Sequence, residues 1–350
     1  MNVIVARYRS KYWSVRLGFF VGLIALCMLL PQAQAYEIGP EFEDPADFPL
    51  MGDWIGEWID PQKGHEENNP ELAAQLLPMG NGEYKVVIIA ELFKRAVPYA
   101  EFIVPESDGR IEIDQDGWQA VFEEGEAHGE APLHGDTVQF RLTQTELLSP
   151  TLGKAAPEGA VVLFDGSHYD HWEHKDGRDV TWIITDEGAM EVVSGFWDDK
   201  AYEEAGLGGD IITKDRFREF DLHVEFRYPV EPDLRGQRRG NSGLFVDGVG
   251  ELQILNSYTT FGYWDEQGAL YKMYPARVNA SAPPLQWQTY DVTVRFPEGR
   301  DDAVLLTAYL NGHRIHHEWE VATGESDFHI FLQDHINRIQ FRNIWIRPLD

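Results

Sequence analysis

Apolar and polar residues alternate along much of the C-terminal half of the chain. Residues 220–226 read Phe-Asp-Leu-His-Val-Glu-Phe, and residues 290–296 alternate in a similar way. Residues 305–310 form an apolar run that leads into Asn311-Gly312, a pair typical of a tight hairpin turn. Because successive side chains of a strand lie on opposite faces, this pattern predicts two stacked antiparallel sheets. The last strand, residues 339–346, shifts phase near Asn343, which predicts a β-bulge.

The N-terminal half contains shorter strand-like runs, separated by turns rich in Gly and Asp. They predict strands at residues 52–58, 84–92, 109–113, 117–122 and 137–142. A short helix is predicted over residues 66–77, because Pro70 suits a first helical turn and Glu, Leu and Ala follow it. We therefore expect a smaller antiparallel β domain, a barrel or a sandwich, over residues 36–148.

Residues 149–159 are rich in Pro, Gly and small side chains, and we interpret them as a linker. The second β domain then covers residues 160–350. The overall prediction is an all-β protein of two antiparallel domains.

The first 35 residues are expected to be a signal peptide. Basic residues up to Arg16 precede an apolar run over residues 17–30, and Ala33-Gln34-Ala35 supplies a small-x-small cleavage pattern. An uncleaved anchor is the alternative, but the run is short for a membrane span of about 20 residues. We therefore expect cleavage before Tyr36 and export to the periplasm or the cell exterior. The single cysteine, Cys27, lies in this segment.

Composition excludes two classes of function. With 43% hydrophobic and 13% aromatic residues the chain is not a disordered protein. A formal net charge of −30 argues against nucleic acid and anionic membrane surfaces as partners. The 11 Trp residues either fill cores or stack on sugars, and composition does not separate these uses.

Short motifs follow one another in a fixed order through the second domain. They are Val162-Leu163-Phe164-Asp165-Gly166, Gly240-Asn241-Ser242-Gly243-Leu244-Phe245, Glu251-Leu252-Gln253-Ile254-Leu255, Gly268-Ala269-Leu270-Tyr271, Trp287-Gln288-Thr289-Tyr290, Leu310-Asn311-Gly312, Leu332-Gln333-Asp334-His335 and Phe341-Arg342-Asn343-Ile344. In this order they resemble the 3-keto-disaccharide hydrolase domain family over roughly residues 160–350. The resemblance implies a concanavalin A-like jelly-roll sandwich that acts on a carbohydrate.

Two positions depart from the family pattern. Asn256 stands where the family usually has Asp, and Ile336 where it usually has Gly. The first removes a carboxylate, and the second restricts the backbone beside His335.

Strand geometry independently selects Glu251 and Gln253. Leu252 and Ile254 suit the core between the sheets, so Glu251 and Gln253 point to the opposite face, about 7 Å apart along the strand. A polar pair on a half-exposed strand is the structural alternative. The resemblance favours a sugar-binding, concave face.

The remaining candidates follow from their chemistry and from the motifs. His335 can exchange protons near neutral pH, and we pair it with Glu251 as the catalytic residues. The candidates for substrate binding, each with a packing or turn role as its alternative, are Asn241, Gln253, Gln333, Arg342 and Tyr271.

The family's chemistry needs few groups. A ketone at C3 acidifies the C2 proton, so one base, one acid and an oxyanion stabiliser suffice for elimination of the aglycone, and water adds afterwards. We expect an exported hydrolase of 3-keto-glycosides, without assigning the order of the acid and base roles. No cofactor is predicted and no metal ligand is assigned, although the sequence neither demands nor excludes a divalent metal. The alternatives are a lectin-like carbohydrate-binding protein and a surface interaction protein.

Overall fold

The structure, a computed structural model, describes residues 42–59, 71–95, 97–133, 135–193, 206–335 and 337–349. The predicted signal peptide lies outside these residues. Within them, no helix is both long and apolar enough to cross a membrane.

The N-terminal strands form a closed antiparallel barrel in which each strand pairs with its neighbours in sequence and β1 pairs with β8. This confirms the antiparallel β prediction and selects the barrel. The barrel strands are β1 (Gly52–Trp58), β2 (Glu71–Pro78), β3 (Glu83–Ile89), β4 (Ala100–Ser107), β5 (Arg110–Gln115), β6 (Trp118–Glu123), β7 (Glu126–Leu133) and β8 (Asp136–Thr145).

The predicted helix over residues 66–77 is wrong where the structure describes it, because residues 71–78 form β2. Leu72, Ala74 and Leu76 face the barrel core. Ala73 and Leu77, on the other face, are also only 2% exposed. Burial on both faces removes the polar alternation that identifies a strand, so the helix-favouring composition dominates the pattern.

Sequence analysis also missed β4 and β7. Pro105 lies in β4, and Gly129 and Pro132 lie in β7, and both residue types weaken a strand pattern. Closure of the barrel supplies the pairing that local propensity does not.

Two antiparallel sheets make up the second half of the chain. A five-stranded sheet has the order β10-β13-β20-β15-β16, and an eight-stranded sheet has the order β11-β12-β21-β14-β17-β18-β19 with β9 added beside β21. Their strands are β9 (Val161–Phe164), β10 (Trp172–His174), β11 (Ile183–Ile184), β12 (Met190–Glu191), β13 (Ile211–Thr213), β14 (Phe220–Arg227), β15 (Ser242–Val246), β16 (Gly250–Ile254), β17 (Gln288–Arg295), β18 (Ala303–Leu310), β19 (His313–Ala322), β20 (Ile330–Leu332) and β21 (Gln340–Pro348).

The two sheets share one hydrophobic core. Leu244 and Leu252 of the five-stranded sheet belong to the same buried cluster as Leu222 and Val292 of the eight-stranded sheet. The alternation in the sequence therefore locates the inward faces correctly. Other sequence-based predictions are also confirmed. Asn311 and Gly312 turn with positive φ between β18 and β19, and the register of β21 shifts at the position of Asn343, whose φ is 44°.

The segment between the barrel and the sheets lies against the outer face of the eight-stranded sheet. Ser149 Oγ is 2.6 Å from Thr289 Oγ1, and Thr151 Oγ1 donates to Asp291 Oδ2 over 2.6 Å. Gly153 N donates to Glu225 Oε1 over 2.6 Å. Side chains of the sheet thus bind the backbone and hydroxyls of this segment directly.

The barrel also contacts loops that follow β14 and β16. Tyr258 Oη donates to Asp53 Oδ1 over 2.7 Å, in a buried position. Arg239, 3% exposed, donates from Nη2 to the carbonyl of Pro78 over 2.9 Å. These bonds satisfy groups that burial would otherwise leave unpaired.

Asp53 should make stability depend on pH. Burial raises its pKa from 3.8 to about 6, despite hydrogen bonds from Gln75 and Tyr258 that lower it. A carboxyl whose folded pKa is raised stabilises the fold most below pH 4, and this contribution is lost as pH rises through 6, at a cost of about 3 kcal/mol.

We therefore expect Asp53→Asn to remove this part of the pH dependence. Urea unfolding of wild type and variant from pH 4 to pH 8 measures it, and the variant should gain stability relative to wild type as pH rises. Asp136→Asn, at an exposed barrel position, is the matched control. Parallel stability curves for wild type and Asp53→Asn would contradict the assignment.

Candidate active site on the outer face of the five-stranded sheet

The outer face of the five-stranded sheet carries two adjacent rows of side chains. Since Leu244, Leu252 and Leu332 point into the core, their neighbours along each strand point outward. The strand register places one row in the order Glu173, Ile212, Phe331, Phe245 and Glu251. The register continues into a second row, Asp210, Gln333, Gly243 and Gln253.

Gly243 forms the centre of this site. A Cβ atom added there would lie 2.5 Å from Glu251 Oε1 and 2.6 Å from the ring edge of Phe245. Both distances are far below van der Waals contact. The Glu251 carboxylate therefore lies over Gly243, in a depression that a side chain would fill.

The Glu251 carboxyl group has an unusual electrostatic environment. Burial and, to a smaller extent, the charge of Asp210 raise its pKa to about 7, although Lys272 opposes them. Among the described residues, no group donates a hydrogen bond to this carboxylate. A carboxyl group with a pKa near 7 is present in both protonation states at neutral pH, as a general acid or base requires.

Asp210 is a member of the site that sequence analysis missed. Its Oδ1 accepts a hydrogen bond of 2.9 Å from the backbone of Asp334, whose own Oδ2 accepts one of 2.7 Å from Gly209 N. Lys175 Nζ lies 3.8 Å from Asp210 Oδ2. Asp210 is thus fixed by bonds that join the start of β13 to the chain just after β20.

Gln253 and Gln333 present acceptor oxygens next to Gly243. Gln253, 1% exposed, donates from Nε2 to Gln237 Oε1 and to the carbonyl of Asp265. Because both of these partners are acceptors, the orientation of the amide is fixed. The Oε1 atoms of Gln253 and Gln333 have no hydrogen-bond partner among the described residues. Both atoms are buried in this conformation, so each is an acceptor next to Gly243 that the described residues leave unpaired.

His335 follows β20 and responds to the charge of Asp210, and Tyr271 lies beside Glu251 next to β16. Burial lowers the pKa of His335, and the charge of Asp210 partly offsets this effect, so the imidazole is neutral at pH 7. Tyr271 N donates to the carbonyl of Glu251 over 2.9 Å, which extends the sheet beyond β16.

Asn241 is buried beneath a loop. It is 2% exposed, and its Nδ2 donates to the carbonyl of Gln237 over 2.7 Å and to Gln237 Oε1 over 3.2 Å. Gln237 also binds Gln253, so one side chain holds two of the predicted site residues. These contacts support the loop that borders the site.

Arg342 is not brought together with Glu251, contrary to our prediction of a shared site. It lies on β21 of the other sheet, where Nε donates to Glu225 Oε2 over 2.7 Å and the guanidinium stacks on Trp287 at 4.0 Å. Glu225 also binds Gly153, so Arg342 holds a carboxylate that fixes the interdomain segment. The motif that contains Arg342 does not reveal its sheet, and strand pairing places β21 in the sheet that does not carry Glu251.

Phe245 and Phe331 form an apolar wall beside Glu251. Their rings stack with centroids 4.0 Å apart, and Lys175 Nζ lies 3.8 Å from the ring centroid of Phe331. Phe245 is half-buried and pairs directly with Glu251 across the strands. This wall explains part of the desolvation of the carboxyl group.

In the described ranges, no group of three or more His, Cys, Asp or Glu side chains is arranged to hold a metal ion.

Sequence analysis missed Asp210 because its place in the site depends on strand pairing. Alternation places Asp210 and Ile212 on one face, but only the pairing of β13 with β20 places that face beside Gln333. No signal in the sequence gives that pairing.

Residues 159–347, more than half of the chain, match the family model described as the 3-keto-alpha-glucoside-1,2-lyase-like domain. No curated protein matches the chain.

Several solved structures are similar to the second half of the chain. A candidate glycosyl hydrolase from Parabacteroides distasonis ATCC 8503 is 30% identical, with 56% of this chain and 86% of that chain covered and a TM-score of 0.47. A second candidate glycosyl hydrolase from this organism is 20% identical over 55% and 95% of the two chains, with a TM-score of 0.40. A Bacillus licheniformis β-glucanase is 12% identical over 56% and 100%, with a TM-score of 0.32.

The depression over Gly243 can be tested by filling it. In Gly243→Ala the new methyl group must displace the Glu251 carboxylate or the Phe245 ring. We expect the pKa of Glu251, followed by carboxyl ¹³C NMR, to change by at least about one unit while the fold is kept.

Gly324→Ala is the matched control, since nothing lies within 4 Å of an added Cβ at that position. An unchanged titration of Glu251 in Gly243→Ala would show that the carboxylate does not lie over this glycine.

Proposed function

Because the chain belongs to the 3-keto-alpha-glucoside-1,2-lyase-like family, as the order of its motifs predicts, we propose that it cleaves 3-keto-glycosides at the face that carries Glu251. Family membership supports a glycoside hydrolase-like enzyme in general. The assignment of the 3-keto-glycoside substrate and of the base rests on one observation, which is the environment of the Glu251 carboxyl group. This group lies over Gly243, has a pKa near 7 and has acceptor groups around it.

In the proposed reaction, Glu251 removes the C2 proton of a sugar that carries a ketone at C3. The electron pair of the C–H bond forms the C1–C2 double bond, and the bond from C1 to the aglycone oxygen breaks. The raised pKa makes Glu251 a stronger base than an exposed carboxylate, while about half of it remains ionised at pH 7.

The departing oxygen must receive a proton, and addition of water across the double bond completes net hydrolysis. We assign His335 to this second proton transfer, because it belongs to a family motif and lies near enough to Asp210 to respond to its charge. Its neutral imidazole acts as a relay, in which one ring nitrogen gives its proton to the departing oxygen while the other takes a proton from the incoming water. The resulting hydroxide adds to C1, and the proton held by Glu251 goes to C2.

Gln253 and Gln333 are assigned to binding of the sugar hydroxyls. Their Oε1 atoms are acceptors, and each residue is adjacent to Gly243 across the strands. A buried acceptor that binds a substrate hydroxyl strongly favours sugars that carry this hydroxyl, because a sugar without it leaves the buried oxygen unpaired.

Two further proposals accompany the activity. The two sheets are proposed to be a concanavalin A-like sandwich, as family membership implies. The protein is proposed to act outside the cytoplasm, because residues 1–35 have the features of a signal peptide.

The activity predicts that wild-type protein releases p-nitrophenol from 3-keto-p-nitrophenyl glucoside and not from the unoxidised glucoside. In Glu251→Gln, kcat/KM should fall by at least about 100-fold, the contribution typical of a general base. In wild type, kcat/KM should rise with pH through about 7 and then level off, because only the ionised carboxylate accepts the proton.

Glu173→Gln is the matched control. Glu173 lies in the same outward row as Glu251, at the opposite edge of the sheet. The Glu173→Gln variant should retain wild-type turnover. If Glu251→Gln kept full activity, the assignment of the base would fail. Sugar binding by wild type with no release from the keto substrate would favour a lectin-like protein.

A further inference from the structure

Two large aromatic side chains lie in solvent close to the candidate active site. Tyr263 is 55% exposed and Trp264 is 48% exposed, and they are consecutive in the loop that follows β16. Neighbouring exposed aromatic residues mark binding surfaces more often than isolated ones do. Their position relative to Glu251 is therefore informative.

The loop that carries them has a defined conformation. Glu266 Oε2 accepts three hydrogen bonds of 2.7–2.8 Å, from Gly262 N, Tyr263 N and Thr260 Oγ1. A carboxylate with three donors fixes the backbone that leads to both aromatic rings.

The same loop is fastened to the site and to the barrel. The carbonyl of Asp265 accepts hydrogen bonds from Gln237 and from Gln253. On the other side, Lys85 of the barrel donates to the carbonyl of Thr259 over 3.0 Å. The backbone that carries the aromatic pair is thus held at a fixed distance from the depression at Gly243.

Two backbone hydrogen bonds set that distance. Lys272 N donates to the carbonyl of Trp264 over 3.0 Å, and Tyr271 N donates to the carbonyl of Glu251 over 2.9 Å. Since Tyr271 and Lys272 are consecutive, the backbone of Trp264 is about two strand spacings, roughly 10 Å, from that of Glu251. A ligand of two rings spans this distance.

We propose that Tyr263 and Trp264 bind the leaving-group half of the substrate by stacking on a ring with an apolar face. This inference rests on the proposed function. A terminal 3-keto sugar bound over Gly243 extends only through its C1 substituent, so whatever reaches the loop is the group that leaves. The ring is either a second sugar or an aromatic aglycone.

Turnover of three substrates shows whether the stacked ring is a second sugar or an aromatic aglycone. They are a 3-keto-disaccharide, 3-keto-p-nitrophenyl glucoside and 3-keto-methyl glucoside, the last of which has no second ring. Trp264→Ala and Tyr263→Ala should each lower kcat/KM about tenfold for the substrates whose second ring stacks. The kcat/KM for 3-keto-methyl glucoside should change less than twofold. Trp264→Phe should restore most of the kcat/KM that Trp264→Ala loses on the two-ring substrates.

Tyr309→Ala is the matched control, because Tyr309 is a 37% exposed aromatic residue on β18 of the other sheet. This substitution should leave kcat/KM unchanged for all three substrates. Equal losses on all three substrates in Trp264→Ala, or no loss on either two-ring substrate, would overturn the inference while the turnover itself upholds the proposed function.

A binding measurement keeps the two proposals distinguishable. Calorimetry compares unoxidised p-nitrophenyl glucoside with methyl glucoside, on wild type and Trp264→Ala, without any need for catalysis. If Trp264→Ala binds p-nitrophenyl glucoside tenfold more weakly than wild type does, and binds methyl glucoside equally well, the stacking surface is supported even if no keto substrate is cleaved. Equal affinities in wild type and variant overturn it.

Discussion

A carboxylate can lie close against the face of a β-sheet only where the residue beneath it has no side chain. Gly243 meets this condition, and the position of Glu251 depends on it. Contact with the sheet and with Phe245 removes water from the carboxyl group, and Asp210 adds a negative charge to its surroundings. The same close packing therefore determines both where the group lies and when it ionises.

The barrel takes part in this arrangement through loops that connect the strands of the two sheets. Arg239 reaches from the loop after β14 to the carbonyl of Pro78, and Lys85 reaches from β3 to the carbonyl of Thr259. Gln237, two residues before Arg239, holds Asn241 and Gln253. The N-terminal domain, which the sequence left without a role, thus supports the loops that border the candidate site.

Alternation along the strands was enough to predict the inward faces of both sheets and the outward direction of Glu251 and Gln253. It failed for β2, which is buried on both faces and so has no polar side to reveal a period of two. The prediction for Arg342 came from a family motif instead, and it failed because β21 belongs to the eight-stranded sheet whereas Glu251 lies on the five-stranded sheet. In both cases tertiary packing decides what the local pattern does not contain.

Residues that meet only through strand pairing were beyond prediction. Asp210 is more than 30 residues from any motif residue of the same row, and the order of β13, β20 and β15 brings it there. The family motifs compensate in part, since they mark Gln333 and His335 without any knowledge of the pairing. They do not mark Tyr263 and Trp264, whose importance depends on exposure and on the hydrogen bonds around Glu266.

The short segment between β8 and Ser149 has a consequence for how the two halves of the chain associate. Since Ser149, Thr151 and Gly153 are bound to the eight-stranded sheet, the barrel is tethered by only a few residues. A short tether gives an effective concentration of about millimolar or more. The contacts between the barrel and the loops therefore form at a far higher effective concentration than they would between two separate molecules.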